Sequence, residues 1–172
     1  MRVEVHEYNR NWSEWFKIES EKISAVFEDE LVHIHHIGST SVEGLSAKPI
    51  IDIMPVVKNI EKIDALTTRM NEIGYEALGE FGIEGRRYFR KGEHIRTHQI
   101  HVFQEDNQYD ISRHLAVRNY LRVHPEESKL YGDLKKKLAS IFPDDLKSYI
   151  EGKNLFVKEL ERKALSWYDT KE

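Results

Sequence analysis

Hydrophobic and polar positions along the first third of the chain follow two different periods. Over residues 12–27 the apolar side chains fall mainly at helical spacings with charged residues between them, which predicts an amphipathic helix. Residues 31–37 alternate and are rich in β-formers, so they predict a strand that runs into a polar turn at residues 38–41. Residues 50–57 are apolar on both faces, which is typical of an inner strand.

The middle of the chain predicts a helix and then a β-hairpin. Residues 60–73 carry apolar side chains at intervals of three or four, and Gly74 follows in the position of a C-cap. Residues 86–90 and 94–103 predict two strands, and a short turn that contains Gly92 joins them.

From residue 112 onward the pattern predicts three helical segments. Pro125 and Pro143 divide them, because proline suits the first turn of a helix and breaks its interior. With strands in the middle and helices before and after them, the predicted fold class is α+β: a mixed β-sheet flanked by helices, with a C-terminal helical segment. We find no repeat or flexible linker, so we predict a single domain over residues 1–172, in which any boundary near Asp110 subdivides one core.

Composition narrows the classes of function. The chain has 172 residues, 40% of them hydrophobic, which is enough for one buried core. It has no cysteine, which excludes disulfides, thiolate metal sites and a cysteine nucleophile. No apolar run approaches the length of a membrane span, so we expect a cytoplasmic protein with no membrane partner. The formal net charge of −4 argues against nucleic acid as a partner, and any anion site must be built locally.

Asp52 is a charged residue inside the apolar run at residues 50–57. An ionised carboxylate there is costly unless it is paired, hydrogen-bonded, exposed at a cleft or bound to a metal. We favour a metal or ligand contact over a salt bridge to an arginine, because a buried ion pair is no obvious gain over hydrophobic packing. The small residues at 38–41 let the backbone approach a ligand, and their N–H groups and hydroxyls can cradle a phosphate. The alternative is an ordinary turn.

Several blocks of sequence carry a resemblance to a known family. They are His36-Ile37-Gly38-Ser39-Thr40-Ser41-Val42, Gly44-Leu45, Ala47-Lys48-Pro49-Ile50-Ile51-Asp52-Ile53, Gly85-Arg86-Arg87-Tyr88-Phe89, Thr97-His98, His101-Val102-Phe103, His114-Leu115-Ala116-Val117-Arg118, Tyr120-Leu121-Arg122, and Tyr149 with Lys153. Together they resemble the GrpB family, also called UPF0157, a branch of the nucleotidyltransferase-fold superfamily. The resemblance covers nearly the whole chain. It implies a nucleotidyltransferase-like mixed sheet, and a domain that elsewhere occurs fused to dephospho-CoA kinase.

This sequence departs from the superfamily's metal site at Met54. Active nucleotidyltransferases usually carry two carboxylates spaced as acidic-apolar-acidic, because the period of a strand then puts both on one face to bridge metal ions. Met54 stands at the second place, so a two-metal site needs another ligand, such as His98, His101 or an acidic residue elsewhere. Smaller departures are Glu43, where the family often has proline, and Asn119, where it often has aspartate.

The histidines are not equally good candidates for catalytic or metal-binding residues. His98 and His101 lie three apart on a predicted strand and so point to opposite faces, which disfavours a shared metal ion. We choose His101 with Asp52 as the candidate catalytic pair, with Asp52 as the magnesium ligand. His36 stays undecided, and for His33, His35 and His94 an ordinary hydrogen-bonded or solvent-facing side chain is the preferred interpretation.

Basic side chains supply the rest of the predicted site. His114, Arg118 and Arg122 recur at intervals of four and form one ridge on a helix. Such a stripe is usually a solvated face, and the rival hypothesis pairs these arginines with Glu126 or Asp133, but arginine also binds phosphate bidentately. The candidate ligand-binding residues are Gly38, Ser39, Thr40, Lys48, Arg86, Arg87, Arg118, Arg122 and Lys153.

Three functions remain in order of preference. The first is a nucleotidyltransferase that acts with magnesium on a nucleotide or another phosphate-bearing small molecule. The second is a non-catalytic module that binds a nucleotide or a coenzyme A precursor and keeps the phosphate cradle without the full metal site. The third, a histidine-dependent metallohydrolase, lacks a ligand motif such as His-Glu-x-x-His.

Overall fold

The computed structural model describes residues 2–170, and the chain divides into two compact units. One unit consists of Asn11–Ile37 and Ile50–Ile111, and we call it the sheet unit. The other consists of the residues up to Arg10, Gly38–Pro49 and the residues from Ser112 onward, and we call it the helical unit.

The sheet unit holds a five-stranded mixed sheet. Its elements are α1 (Asn11–Phe27), β1 (Leu31–Ile37), β2 (Ile51–Val57), α2 (Thr67–Glu72), β3 (Glu76–Ala77), β4 (Arg87–Lys91) and β5 (His98–Gln104). The strand order is β1-β2-β5-β4-β3. Strands β2 and β5 are parallel, and the other neighbours are antiparallel. The fold is therefore α+β with a mixed sheet, as the sequence predicts.

Strand β2 lies inside the sheet and is buried on both faces, which explains its apolar sequence. Ile51, Ile53 and Val57 on one face are each at most 1% exposed, and Met54 and Val56 on the other are 0% and 4% exposed. Helix α1 buries Trp12, whereas Trp15 lies beside the buried stripe of the helix and is 42% exposed.

Two predicted elements of the sheet unit differ in detail. The helix predicted over residues 60–73 begins as a 3-10 helix, Ile60–Leu66, and only continues as α2. Gly74 follows it with a φ of 97°, a left-handed conformation that favours glycine at a helix C-terminus. The hairpin of β4 and β5 forms, but the second strand begins at His98 and residues 92–97 form a longer loop.

The helical unit contains the three predicted C-terminal helices. They are α3 (Gln108–Val123), whose first turn belongs to the sheet unit, α4 (Pro125–Ile141) and α5 (Leu146–Asp169). Pro125 occupies the first turn of α4, as predicted. Pro143 instead lies in the turn before α5, and the side chain of Asp145 caps that helix by accepting from the Ser148 N–H at 3.1 Å.

The core of the helical unit joins the loop at residues 42–45 to all three helices. Its buried residues are Val42, Leu45, Ala116, Tyr120, Leu121, Tyr131, Leu160 and Ala164. Within residues 2–170, every helix is too short or too polar to span a bilayer.

Candidate functional site

The turn after β1, which we call the Gly38 turn (residues 38–41), belongs to the helical unit. Gly38 has a φ of 73° and a ψ of −175°, a combination that is essentially restricted to glycine. The following 3-10 turn is closed by the Ser41 N–H on the Gly38 carbonyl at 3.1 Å and the Val42 N–H on the Ser39 carbonyl at 3.2 Å. Across the described residues, the N–H groups of Gly38 and Ser39 find no acceptor, so two adjacent backbone donors remain for a ligand.

The side chain of Ser39 adds a third donor to the Gly38 turn. Lys135 of α4 donates from Nζ to Ser39 Oγ at 2.8 Å. The hydroxyl therefore accepts from an ammonium, and its own hydrogen has no acceptor in residues 2–170. Because a hydroxyl polarised by a cation donates more strongly, Ser39 and Lys135 together favour an anion at the turn.

Lys135 is the most deeply buried charged group of the helical unit, with 2% of the residue exposed. Its ammonium also lies 4.2 Å from the centroid of the Tyr131 ring, a cation–π contact. No carboxylate of the described residues lies within ion-pairing distance of it. Burial, followed by the charge of Lys153, holds the pKa of Lys135 well below its ordinary value of 10.5.

Two further lysines gather around Tyr149 in the same unit. Lys48, from the segment after the Gly38 turn, and Lys153 of α5 lie 5.9 Å and 5.1 Å from the centroid of the Tyr149 ring. The Tyr149 hydroxyl is buried and has no hydrogen-bond partner in the described part of the chain. The structure thus gathers the predicted residues Lys48 and Lys153 and adds Lys135 to them.

Arg118 and Arg122 lie on α3, close enough for their positive charges to repel each other. Arg122 donates from Nε and Nη2 to the Ser41 carbonyl at 3.1 Å and 2.8 Å, so it is tied to the end of the Gly38 turn. Arg118 donates from Nε to Asn119 Oδ1 at 3.0 Å. Burial, and then the charge of Arg122, lower the pKa of Arg118 to about 10. Burial likewise lowers the pKa of Arg122.

Asp52 and His101 meet on neighbouring strands of the sheet unit. His101 Nε2 lies 3.0 Å from Asp52 Oδ1, and Arg86 Nη1 lies 3.3 Å from His101 Nδ1. A guanidinium can only donate, so Nδ1 must accept, and Nε2 then carries the hydrogen that it donates to the carboxylate. The geometry therefore selects one tautomer of a neutral His101.

Arg86 is held in place on the sheet unit. It is 7% exposed and donates from Nη2 to the Phe81 carbonyl at 2.8 Å and from Nε to the Glu80 carbonyl at 3.2 Å. Its guanidinium also covers the Tyr88 ring at 4.8 Å. These contacts orient the Arg86 group that reaches His101.

The two remaining predicted ligand-binding residues have other contacts. Arg87 makes a bidentate ion pair with Asp64, at 2.6 Å from Nε and 3.2 Å from Nη2, and the hydrogen bond to Asp64 raises its pKa. Thr40 is 2% exposed. A role for either in ligand binding stays a prediction, and for Arg87 a ligand would have to compete with Asp64.

The residues around Asp52 do not form a protein-built magnesium site. Both nitrogens of His101 are engaged, and Met54 stands at the second carboxylate position, with 0% of the residue exposed. No group of three or more His, Cys, Asp or Glu in residues 2–170 could hold a metal ion. Magnesium prefers oxygen ligands in an octahedron, so one free carboxylate oxygen falls short of holding it without a ligand's phosphates.

Lys135 contacts the Gly38 turn, although the sequence did not predict it as a ligand-binding residue. It lies in the run Lys135-Lys136-Lys137, which resembles a solvated charge run. Its spacing from Tyr131 and Leu138, both buried, places it on the inward face of α4. This helical spacing is the sequence signal from which the burial of Lys135 could be predicted.

Comparisons with known proteins come from sequence and from structure. The family model described as GrpB protein matches residues 2–163. UPF0157 protein YqkA of Bacillus subtilis is 45% identical over 166 residues, which cover 96% of this chain and 48% of that protein. Glutamate-rich protein GrpB of Alkalihalophilus pseudofirmus is 32% identical over 89% of this chain and 90% of its own length. This chain therefore spans about half the length of YqkA and most of that GrpB.

Two solved structures are similar to the fold. The crystal structure of conserved protein GrpB from Enterococcus faecalis has a TM-score of 0.94 and 47% identity, and the match covers 96% of this chain and 99% of that one. The Cid1 poly(U) polymerase has a TM-score of 0.52 and 13% identity, over 79% of this chain and 44% of that one. The second likeness concerns the fold alone, and that fold is nucleotidyltransferase-like.

Proposed function

The chain belongs to the GrpB family, and we propose that it binds a nucleotide or another phosphate-bearing small molecule at the Gly38 turn. The phosphate oxygens accept hydrogen bonds from the N–H groups of Gly38 and Ser39 and from the hydroxyl of Ser39. Lys135, which donates to Ser39 Oγ, stabilises the charge of the phosphate. Lys48 and Lys153 add to the positive potential of this part of the helical unit.

The buried ammonium of Lys135 carries the proposal. A charge taken out of water without a carboxylate partner costs several kcal/mol, to an order of magnitude, and hydrophobic residues usually replace such groups without loss of stability. The hydrogen bond from Lys135 to the Ser39 hydroxyl and its cation–π contact with the Tyr131 ring offset only a small part of that cost. An anion bound at the Gly38 turn supplies the missing interaction.

Replacing Lys135 by Met tests the proposal, because folding and binding should respond in opposite directions. Without ligand, the melting temperature should stay the same or rise, since a desolvated charge is removed. Binding should weaken by about ten- to a hundredfold, the range for a lost charge-assisted interaction of about 1.5 to 3 kcal/mol. The measurement is a thermal-shift screen of nucleotides and dephospho-CoA, with and without magnesium, followed by calorimetric titration of the best ligand.

Lys137→Met is the matched control for Lys135→Met. Lys137 lies on the same helix but is exposed, so its loss should change neither quantity appreciably. A sharp fall in the melting temperature of Lys135→Met with unchanged affinity would make Lys135 a structural residue and overturn the proposal.

Arg118 and Arg122 should contribute to the same binding. Substituting either by Gln should weaken affinity by about one to two orders of magnitude. The melting temperature should shift by only a few degrees in Arg118→Gln and by more in Arg122→Gln, which loses both hydrogen bonds to the Ser41 carbonyl. Arg162→Gln is the control, because Arg162 is exposed and paired with Glu159. The rival hypothesis pairs these arginines with Glu126 or Asp133. The contacts of Asp133 disfavour it, since Asp133 accepts from Lys129 at 2.9 Å. A large loss of stability in either variant, with affinity intact, would restore a structural role for these arginines.

Nucleotidyl transfer with magnesium is the second candidate function. The position of Asp52 on β2 favours it, and so does the likeness in fold to Cid1, a poly(U) polymerase whose crystal structure has MgGTP bound. Because Asp52 offers one free oxygen, magnesium would have to arrive with the phosphates of the nucleotide. We therefore derive no catalytic step through the metal.

A further inference from the structure

Polar side chains form a row across one face of the sheet unit, and the row ends at Glu76 of β3, which lies opposite Arg90. In the parallel pair β2 and β5, Asp52 lies opposite Gln99, and in the antiparallel pair β5 and β4, Gln99 lies opposite Arg90. Residues that face each other across paired strands project to the same side of a sheet. We call Asp52, Gln99 and Arg90 the Asp52 row, and all three are only partly buried.

Two members of the Asp52 row have unused hydrogen-bonding capacity. Asp52 Oδ1 accepts from His101, whereas Oδ2 has no partner in residues 2–170. The side-chain amide of Gln99 makes no hydrogen bond within the same residues. A carboxylate oxygen that only accepts thus stands beside an amide that both donates and accepts.

The charges beside the Asp52 row disfavour a cation as its ligand. Arg86 hydrogen-bonds His101, which hydrogen-bonds Asp52, whereas Arg90 pairs with Glu76 of β3 at 3.4 Å. The guanidinium of Arg86 raises the energy of a second positive charge near Asp52. A neutral group that donates one hydrogen bond and accepts another fits better, and neighbouring hydroxyls of a sugar have this character.

We propose that Asp52 and Gln99 bind the vicinal hydroxyl groups of a ribose ring. One hydroxyl donates to Asp52 Oδ2, and the adjacent hydroxyl accepts from the Gln99 amide. His101 and Arg86 act as positioning residues, because the neutral Nε2–H tautomer fixes the carboxylate and leaves His101 no free nitrogen for proton transfer. The site lies wholly in the sheet unit and does not depend on the proposed anion site.

The test uses a phosphate-free probe, so its failure is separate from failure at the Gly38 turn. Adenosine, 2′-deoxyadenosine and 3′-deoxyadenosine are titrated into the whole chain labelled with nitrogen-15. Adenosine should perturb the amide resonances of Asp52 and Gln99 and bind about tenfold or more tightly than either deoxy form. Equal affinities, absence of adenosine binding, or perturbations confined to other residues would overturn the proposal.

Variants separate the hydroxyl contacts from general stability. Gln99→Ala and Asp52→Asn should each remove most of the preference for adenosine, whereas Lys137→Met, at an exposed position outside both proposed sites, should leave it unchanged. The side chain of Gln99 makes no hydrogen bond among the described residues, so Gln99→Ala should fold even if Asp52→Asn does not.

The positioning role of His101 has its own readout. In nitrogen-15 spectra of the neutral imidazole, Nδ1 should appear unprotonated and Nε2 protonated, and Arg86→Gln should weaken that preference. His101→Gln should lower the preference for adenosine less than Asp52→Asn does. The opposite tautomer in the wild type would overturn the positioning assignment.

Discussion

Replacing Glu19 by Leu is expected to destabilise the chain by about 3 kcal/mol, because it breaks a buried polar network. Glu19 is 5% exposed and accepts from Lys91 at 2.6 Å and from the Tyr75 hydroxyl at 2.8 Å. Its loss leaves the Tyr75 hydroxyl buried without a partner. Lys91 keeps some access to water, which moderates the cost of its lost ion pair. For a chain of this size, the melting temperature should fall by roughly 6 to 12 °C.

The control for Glu19→Leu is Glu21→Leu, an exposed position on the same helix that should change the melting temperature little. The double variant Glu19→Leu with Lys91→Leu should recover part of the loss, because apolar side chains then replace both charges. Equal melting temperatures for Glu19→Leu and Glu21→Leu would show that the network contributes nothing to stability.

The same network makes stability depend on pH. Burial opposes ionisation of Glu19, but the hydrogen bonds from Lys91 and Tyr75 outweigh it and lower its pKa below 4.5. Its contribution is therefore present above the ordinary pKa and is lost as the pH falls through the lowered value. Burial lowers the pKa of His98 below 6.5, so the unfolded state takes up that proton first. Both groups lower the free energy of unfolding in acid.

Most of the fold follows from local pattern, and its exceptions depend on tertiary contacts. Strand β1 was predicted with its bounds because its alternation and its flanking turn agree. The 3-10 helix at the start of the 60–73 segment begins at a tertiary contact, where the Ile60 N–H donates to Gln104 Oε1 at 3.0 Å. No periodicity within the segment contains that bond.

The loop at residues 92–97 shows how a pattern can mislead. Ile95 looks like a strand residue by type but is 76% exposed. Gly92 has a φ of 106°, and a Cβ there would collide with the Ile95 carbonyl oxygen. The chain therefore turns at Gly92, as the sequence predicted, but the loop continues through residues 94–97, which the sequence predicted as strand.

Individual residues of the candidate site could be predicted from the sequence, but most of the contacts between them could not. Chemistry and resemblance pointed to Asp52, His101 and the Gly38 turn, and the structure joins the first two directly. Lys135 was not found, because a lysine run resembles a solvated face unless its helical phase is followed. The hydrogen bond to Ser39 spans a separation of 96 residues, and no local pattern predicts such a contact.

Anion binding at the Gly38 turn is expected to weaken as the pH rises, because Lys135 must be protonated to hold the anion. In the unliganded fold its pKa lies well below 10.5, owing first to burial and then to Lys153. A bound phosphate favours the ammonium and raises that pKa again. Binding above the unliganded pKa therefore takes up a proton, and affinity should fall by up to about tenfold per pH unit there.

The measurement is calorimetric titration of ADP between about pH 7.5 and 9.5, where its phosphates no longer titrate because their last pKa is near 6. Repeating it in buffers of different ionisation enthalpy counts the protons taken up, which should lie between zero and one and disappear in Lys135→Met. Without ligand the sign reverses: the unfolded state binds more protons between the lowered pKa and 10.5, so stability due to Lys135 rises with pH across that window. Affinity that stays level with pH in the wild type, or proton uptake that persists in Lys135→Met, would remove Lys135 from the anion site.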